Sequence, residues 1–175
     1  MISAKMQDAF NEQINKELYS EYLYLAMAGY FDSLGLKGFA NWMRVQVKEE
    51  RTHAMMMYTY LNEVGGRAHM LPIEGPPNEW ESPLAAFKHV LEHEQFVTSR
   101  IHNLVNMATE EKDHASVAFL QWFVTEQVEE EASATEIGLE LKLIGDNGQG
   151  LLMKDRELAT RIFTLPAEAV GAGVI

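Results

Sequence analysis

A single long, proline-rich break constrains this chain more than any other feature. The stretch GGRAHMLPIEGPPNEWESP, residues 65–83, holds four of the five prolines. On each side of it the sequence reads as two helices joined by a short turn. Residues 4–34 contain only Gly29 and no proline, and Phe10, Ile14, Leu18 and Leu25 recur at helical spacing. This is α1, with Ser3 placed as its N-cap. After SLGLKG, α2 is predicted over Gly38–Val64. Beyond the break, α3 is predicted over Leu84–Glu110, just after a Ser-Pro pair. A short EKD turn leads to α4 over 114–144, and GDNGQG separates it from a short α5 over 151–163 and a small apolar tail. The short turns make α1 antiparallel to α2 and α3 antiparallel to α4. The break, about 18 residues, reaches ~60 Å when extended, whereas a helix the length of α2 is about 40 Å long. It can therefore run the full bundle and leave α2 and α3 parallel. The expectation is an all-α, four-helix bundle with one long α2–α3 crossover and a short fifth helix, a single domain over 1–175.

Composition narrows the function. Apolar residues make up 47%, enough for a substantial core. Fourteen basic against 26 acidic residues give a net charge of −12, which argues against nucleic-acid binding and favours attraction of cations. There is no cysteine, hence no disulfide, no thiolate metal site and no cysteine nucleophile; that suits a reducing, cytoplasmic setting. MISAKMQDAF has no apolar core of a secretory signal, and no apolar run approaches a membrane span.

The chemistry lies in an internal repeat. In VKEERTHAMMM, residues 47–57, Glu50 and His53 are three positions apart, about 60° around a helix, level with apolar Met55, Met56 and Met57. Glu50 follows Glu17 by 33 positions, and Gln127 follows Glu94 by 33. Measured from each turn, the partners sit at matching depths. EERTH (49–53) also corresponds to EQVEE (126–130), so that Glu-x-x-His on α2 becomes Gln-x-x-Glu on α4. Two such hairpins bring Glu17, Glu50, His53, Glu94, Gln127 and Glu130 together in mid-bundle. Buried carboxylates without cations repel and desolvate at high cost, and a metal pair removes that conflict. Carboxylates with one imidazole suit iron or manganese rather than structural zinc. The bland alternative is a solvated acidic face.

INKELYSEYLYLAMAGYF (14–31), VKEERTHA (47–54), EHEQFVT (92–98) and FVTEQVEEE (123–131), with the crossover and α5, closely resemble the bacterial non-haem ferritins over essentially the whole chain. That resemblance implies a ferritin-like bundle and a ferroxidase centre using O2 or H2O2. Glu17 and His53 would hold the first iron, Glu50 would bridge, and Glu94 would hold the second, with Glu130 nearby and Gln127 lining the site. Tyr24 matches the tyrosine that hydrogen-bonds the centre. Glu49, Glu126 and Glu129, with Glu130, match a third-iron site. The resemblance further implies a homo-oligomeric cage of twenty-four subunits, α5 lining its four-fold axes. Gln127-x-x-Glu130 departs from the second Glu-x-x-His of bacterioferritin and rubrerythrin. Arg51 stands where bacterioferritin offers its haem methionine, so no haem is expected. Val117 and Leu120 match the three-fold pore positions. The methionine run and Trp122 are read as core packing. His69, His89, His93, His102 and His114 are read as surface or loop histidines. A di-iron oxidase or peroxidase that stores no iron shares the same frame, and cage size separates the two.

Overall fold

The structure is a computed structural model and describes residues 2–170. α1 spans Ala4–Ser33, α2 Lys37–Glu63, α3 Pro83–Glu110, α4 His114–Ile144 and α5 Gly148–Leu158, and a 3-10 turn follows at Ala167–Ala169. The caps explain these bounds. Ser3 Oγ accepts from Met6 N, Ser82 from Ala85 N, and Asp113 from Ser116 N. Each satisfies an amide that the first helical turn leaves unpaired.

Both hairpin turns close with the same geometry. Leu36 N donates to Phe31 O, and Asp113 N donates to Ala108 O. Each bond spans a left-handed residue, Gly35 at φ 74° and Lys112 at φ 57°. These two positions are as far apart in sequence as Glu17 and Glu94, so the repeat extends to the turns. Only the first turn carries the glycine that a positive φ favours.

The crossover fixes the remaining topology. Arg67 N donates to Gln7 Oε1, Asn11 bonds Arg67 O and His69 N, and Asn15 Nδ2 donates to the carbonyls of Leu71 and Pro72. The loop therefore climbs α1 in the direction of α1 itself. Trp80, near its end, packs edge-on against Tyr30 at the far end of α1 (ring centroids 5.4 Å apart). α3 begins there and runs back, so it lies parallel to α2.

Two sequence readings need correction. α5 starts three residues earlier than expected because Asn147 Oδ1 caps Gly150 N at 3.1 Å. It also ends at Leu158 rather than 163: Asn41 Nδ2 takes the carbonyls of Leu158, Ala159 and Arg161, and the chain leaves the helix along α2. Leu120, matched to the pore, has no exposed surface and packs inside the bundle, with Val117 partly buried against the same cluster. The end of the apolar tail, 171–175, lies outside the described residues.

The core comes in two parts. One contains Leu23, Met27, Phe31, Phe39, Met43, Phe87 and Leu141, and the other Phe10, Ile14, Met56, Met57, Ile101 and Phe123. Along every helix of the bundle the two parts are separated by polar residues, and these form the site.

Candidate metal centre

Four carboxylates are buried in that band: Glu17 at 1% exposure, Glu50 at 2%, Glu94 at 1% and Glu130 at 5%. They do not form the solvated acidic face of the bland reading. Among the described residues, no lysine or arginine pairs with any of the four. His53 is buried beside them.

Glu17, Glu50 and His53 bring one ligand atom each within 4.8 Å of one another. The hairpin turn sets Glu17 on α1 opposite Glu50 and His53 on α2. Glu17 Oε1 accepts from Gln13 Nε2 at 2.8 Å, and Arg100 Nε donates to Gln13 Oε1 at 2.9 Å, which fixes the amide. Glu17 Oε2 meets no N–H donor. The Glu17 and Glu50 carboxyls are side by side, and two carboxyls can bond only through a shared proton.

The second hairpin supplies the rest. Glu94 accepts from the Tyr24 hydroxyl and from Gln127 Nε2, the latter at 3.2 Å. Gln127 Nε2 also lies 3.3 Å from Thr98 Oγ1. Glu130 Oε2 accepts from Gln46 Nε2 at 2.8 Å. Glu94, Gln127 and Glu130 thus lie in the same buried band, outside the tight three-residue group. Trp122 is partly buried, its ring 5.4 Å from that of His53. Met56 and Met57 are buried in the core, as expected. Arg51 is committed to Glu21 through two bonds of 2.8 Å.

The members of the third set lie within electrostatic reach of one another: burial chiefly raises Glu126 and Glu130, with Glu129 and Glu49 adding to the first and Glu94 and Glu49 to the second. Glu49 is paired with Arg161, Glu126 Oε1 lies 4.0 Å from His53 Nε2, and Glu129 is exposed.

Electrostatics follow from burial. Desolvation, with Glu94, Glu17 and Glu130 nearby, holds the Glu50 carboxyl well above its usual range. Burial raises Glu94 to about 7 against the lowering bond from Tyr24, and raises Glu130 to about 8. Metal-free protein therefore holds protons here where unfolded glutamate, at about 4.3, has lost them. A raised carboxyl stabilises the fold fully below the unfolded value, and that contribution is lost as pH rises through the folded one. The melting temperature of metal-free protein is expected to fall from pH 5 to pH 9, with saturating metal flattening the decline. A thermal scan across that range checks it; a metal-free protein more stable at pH 9 than at pH 6 would contradict the assignment.

Several functional neighbours escaped the sequence. Gln13 and Gln46, like Glu17 and Glu50, are 33 positions apart, so the repeat register was the available signal. His93, expected at the surface, is 8% exposed. It shares a 2.7 Å hydrogen bond with Ser20 and its pKa is lowered to about 4, chiefly by burial. Its place is set by α1 covering it. Glu168, on the segment after α5, raises Glu126 electrostatically alongside the larger effect of burial.

The fold and this band are those of a carboxylate-rich helical bundle with a buried metal-binding core, and comparison with known proteins identifies it. A model of the ferritin-like domain matches residues 7–144. Relatives include a bacterial non-heme ferritin of Bacteroides fragilis (strain 638R), 45% identical over 92% of this chain and 100% of that one. Another, from Staphylococcus aureus (strain MRSA252), is 42% identical over 93% and 98%. Among solved structures, an open pore ferritin from the hyperthermophilic archaeon Archaeoglobus fulgidus superposes with a TM-score of 0.92 at 60% identity, over 93% of this chain and 99% of that one. The chain belongs to the ferritin family.

Proposed function

We propose that this chain is an iron-storage subunit that oxidises Fe(II) with O2 or H2O2 at a centre inside each bundle, and that its copies form a cytoplasmic twenty-four-subunit cage holding the ferric product. One observation carries the reading: four buried carboxylates and an imidazole with which, among the described residues, no lysine or arginine pairs. Only protons or metal cations can neutralise that band. Among the described residues, no helix is long and apolar enough to cross a membrane.

Iron is the substrate. Glu17 and His53 hold the first Fe(II), Glu50 bridges, and Glu94 holds the second with Glu130 alongside. Tyr24 and Gln127 orient Glu94 by the bonds described above. Ionised carboxylates are hard ligands and favour Fe(III), so they assist loss of one electron from each iron. The two electrons and two protons convert O2 to H2O2, or one H2O2 to two water molecules. Protons displaced from the raised carboxyls as metal enters are available for that reduction. With one imidazole in the set, the second position binds more weakly, which suits a site that must hand its product on for storage.

Stopped-flow absorbance at two Fe(II) per chain tests the oxidation, and light scattering tests the cage. A slow trace equal to that of buffer would remove the enzymatic reading; fast oxidation by a small oligomer would favour the oxidase or peroxidase. His53→Ala is expected to weaken the first position by roughly 10- to 100-fold, and the second less. Crystals soaked in Fe(II) measure both occupancies, and equal loss at the two would count against the asymmetry.

A further inference from the structure

The segment after α5 lays a cation against the centre. Its backbone is held to α2 by Asn41 Nδ2, which bonds the carbonyls of Leu158 at 3.2 Å and Arg161 at 3.0 Å. From there Arg161 reaches Glu49, Nη2 to Oε2 at 2.8 Å. Its guanidinium carbon lies 4.5 Å from the centroid of the Trp42 ring, and Nη1 is 3.4 Å from Trp42 O. The two charged side chains retain only 25% and 19% exposure. Guanidinium is always charged, planar and weakly hydrated, so stacking on an indole while pairing with a carboxylate suits it well.

Glu49 directly precedes Glu50 on α2. It is also one arm of the third-iron set that the family resemblance implies. The other arms stand within electrostatic reach of it, but none is a cation: Glu130 accepts from Gln46, Glu126 leans towards His53, and Glu129 is exposed. A third cation would therefore find carboxylates nearby, but the arm closest in sequence to the bridging carboxylate already has a positive partner.

We propose that Arg161 is a built-in counter-cation that competes with a third metal ion for Glu49, and so restricts tight binding to the two positions of the centre. The inference rests on the centre proposed above. A third cation that takes Glu49 Oε2 must displace the guanidinium from that carboxylate, and so loosen its stacking on Trp42. Doing so removes one side-chain tie of the segment that begins at Ala159, leaving its first residues to Asn41, with Leu165 and Ala169 packed on the core further on. Arg161 is thus a positioning residue that acts through Glu49 and touches neither reacting iron.

The test uses Zn(II), which carries no redox chemistry, in calorimetric titrations of the assembled protein, with anomalous diffraction to place each ion. Wild type should show two tight Zn(II) per chain and a weak third. Arg161→Ala should strengthen the third on the order of tenfold, the scale of one partly buried ion pair. Arg161→Lys, which keeps the charge, should leave it weak. An unchanged third affinity in Arg161→Ala, or an equal gain in Arg161→Lys, would overturn the role of Arg161. Failure of wild type to bind the first two ions would instead overturn the centre. Hydrogen exchange on wild type gives a reading independent of any variant's folding. Amides of residues 159–163 should lose protection when the third Zn(II) equivalent binds, and unchanged protection at that occupancy would also overturn the proposal.

Discussion

Glu50→Ala is expected to slow rapid Fe(II) oxidation by roughly a hundredfold or more while the bundle remains folded. Glu50 is the carboxylate on which the centre turns. It shares a ligand group with Glu17 and His53, and it lies close enough to Glu94 and Glu130 for each to raise its pKa. Loss of this side chain removes the carboxylate proposed to bridge the two irons. It also removes one carboxyl that folding must desolvate, so collapse of the structure is not expected. Stopped-flow traces at two Fe(II) per chain, read beside circular dichroism, check both halves. Unchanged fast oxidation would show that the irons are held elsewhere.

The second large effect is expected far from the centre, at Gly38. A Cβ added there would stand 1.5 Å from Asp155 O and 2.5 Å from its carbonyl carbon, both backbone atoms that cannot rotate away. α5 must shift to admit it. The shift would also break a cap supplied from a distance: Asp155 Oδ1 accepts from Gly38 N at 2.7 Å and from Phe39 N at 3.0 Å, whereas Leu36, at the cap position, has no side-chain acceptor. Overpacking and cap loss together predict a destabilisation of about 3 kcal/mol for Gly38→Ala. Asp155→Ala, which loses only the cap, should cost about 1 kcal/mol. Urea midpoints at one fixed protein concentration measure both, because assembly contributes to apparent stability. A Gly38→Ala midpoint equal to wild type would mean that α5 packs on α2 less closely than described.

The bundle itself was legible because its signals are periodic. Helical spacing, two short turns and one long break fix the four-helix order, and Ser3 and the Ser-Pro pair mark two of the starts. The spacing of Glu17 to Glu50, repeated from Glu94 to Gln127, shows why six polar residues share one level, and the structure places all six in the buried band. What stayed hidden depends on contacts between elements. Nothing local to His93 says that α1 will cover it. Leu120 is enclosed by helix rotation, which spacing fixes only roughly. The end of α5 is set by Asn41, more than a hundred positions earlier, and the pairing of Arg161 with Glu49 spans a similar separation.

The amides that hold the crossover also meter it. Gln7, Asn11 and Asn15 recur every four residues on α1 and take hold of the loop near residues 67, 69 and 71. Four helical residues advance about 6.0 Å, and two extended residues about 6.6 Å. Helix and loop therefore keep step, like a rack and its pinion. One extra residue between Arg67 and Leu71 would rotate the carbonyls and amides beyond it to the wrong side, whereas two extra residues would restore their facing and leave only a bulge. Length in this loop is thus tolerated by parity rather than by amount.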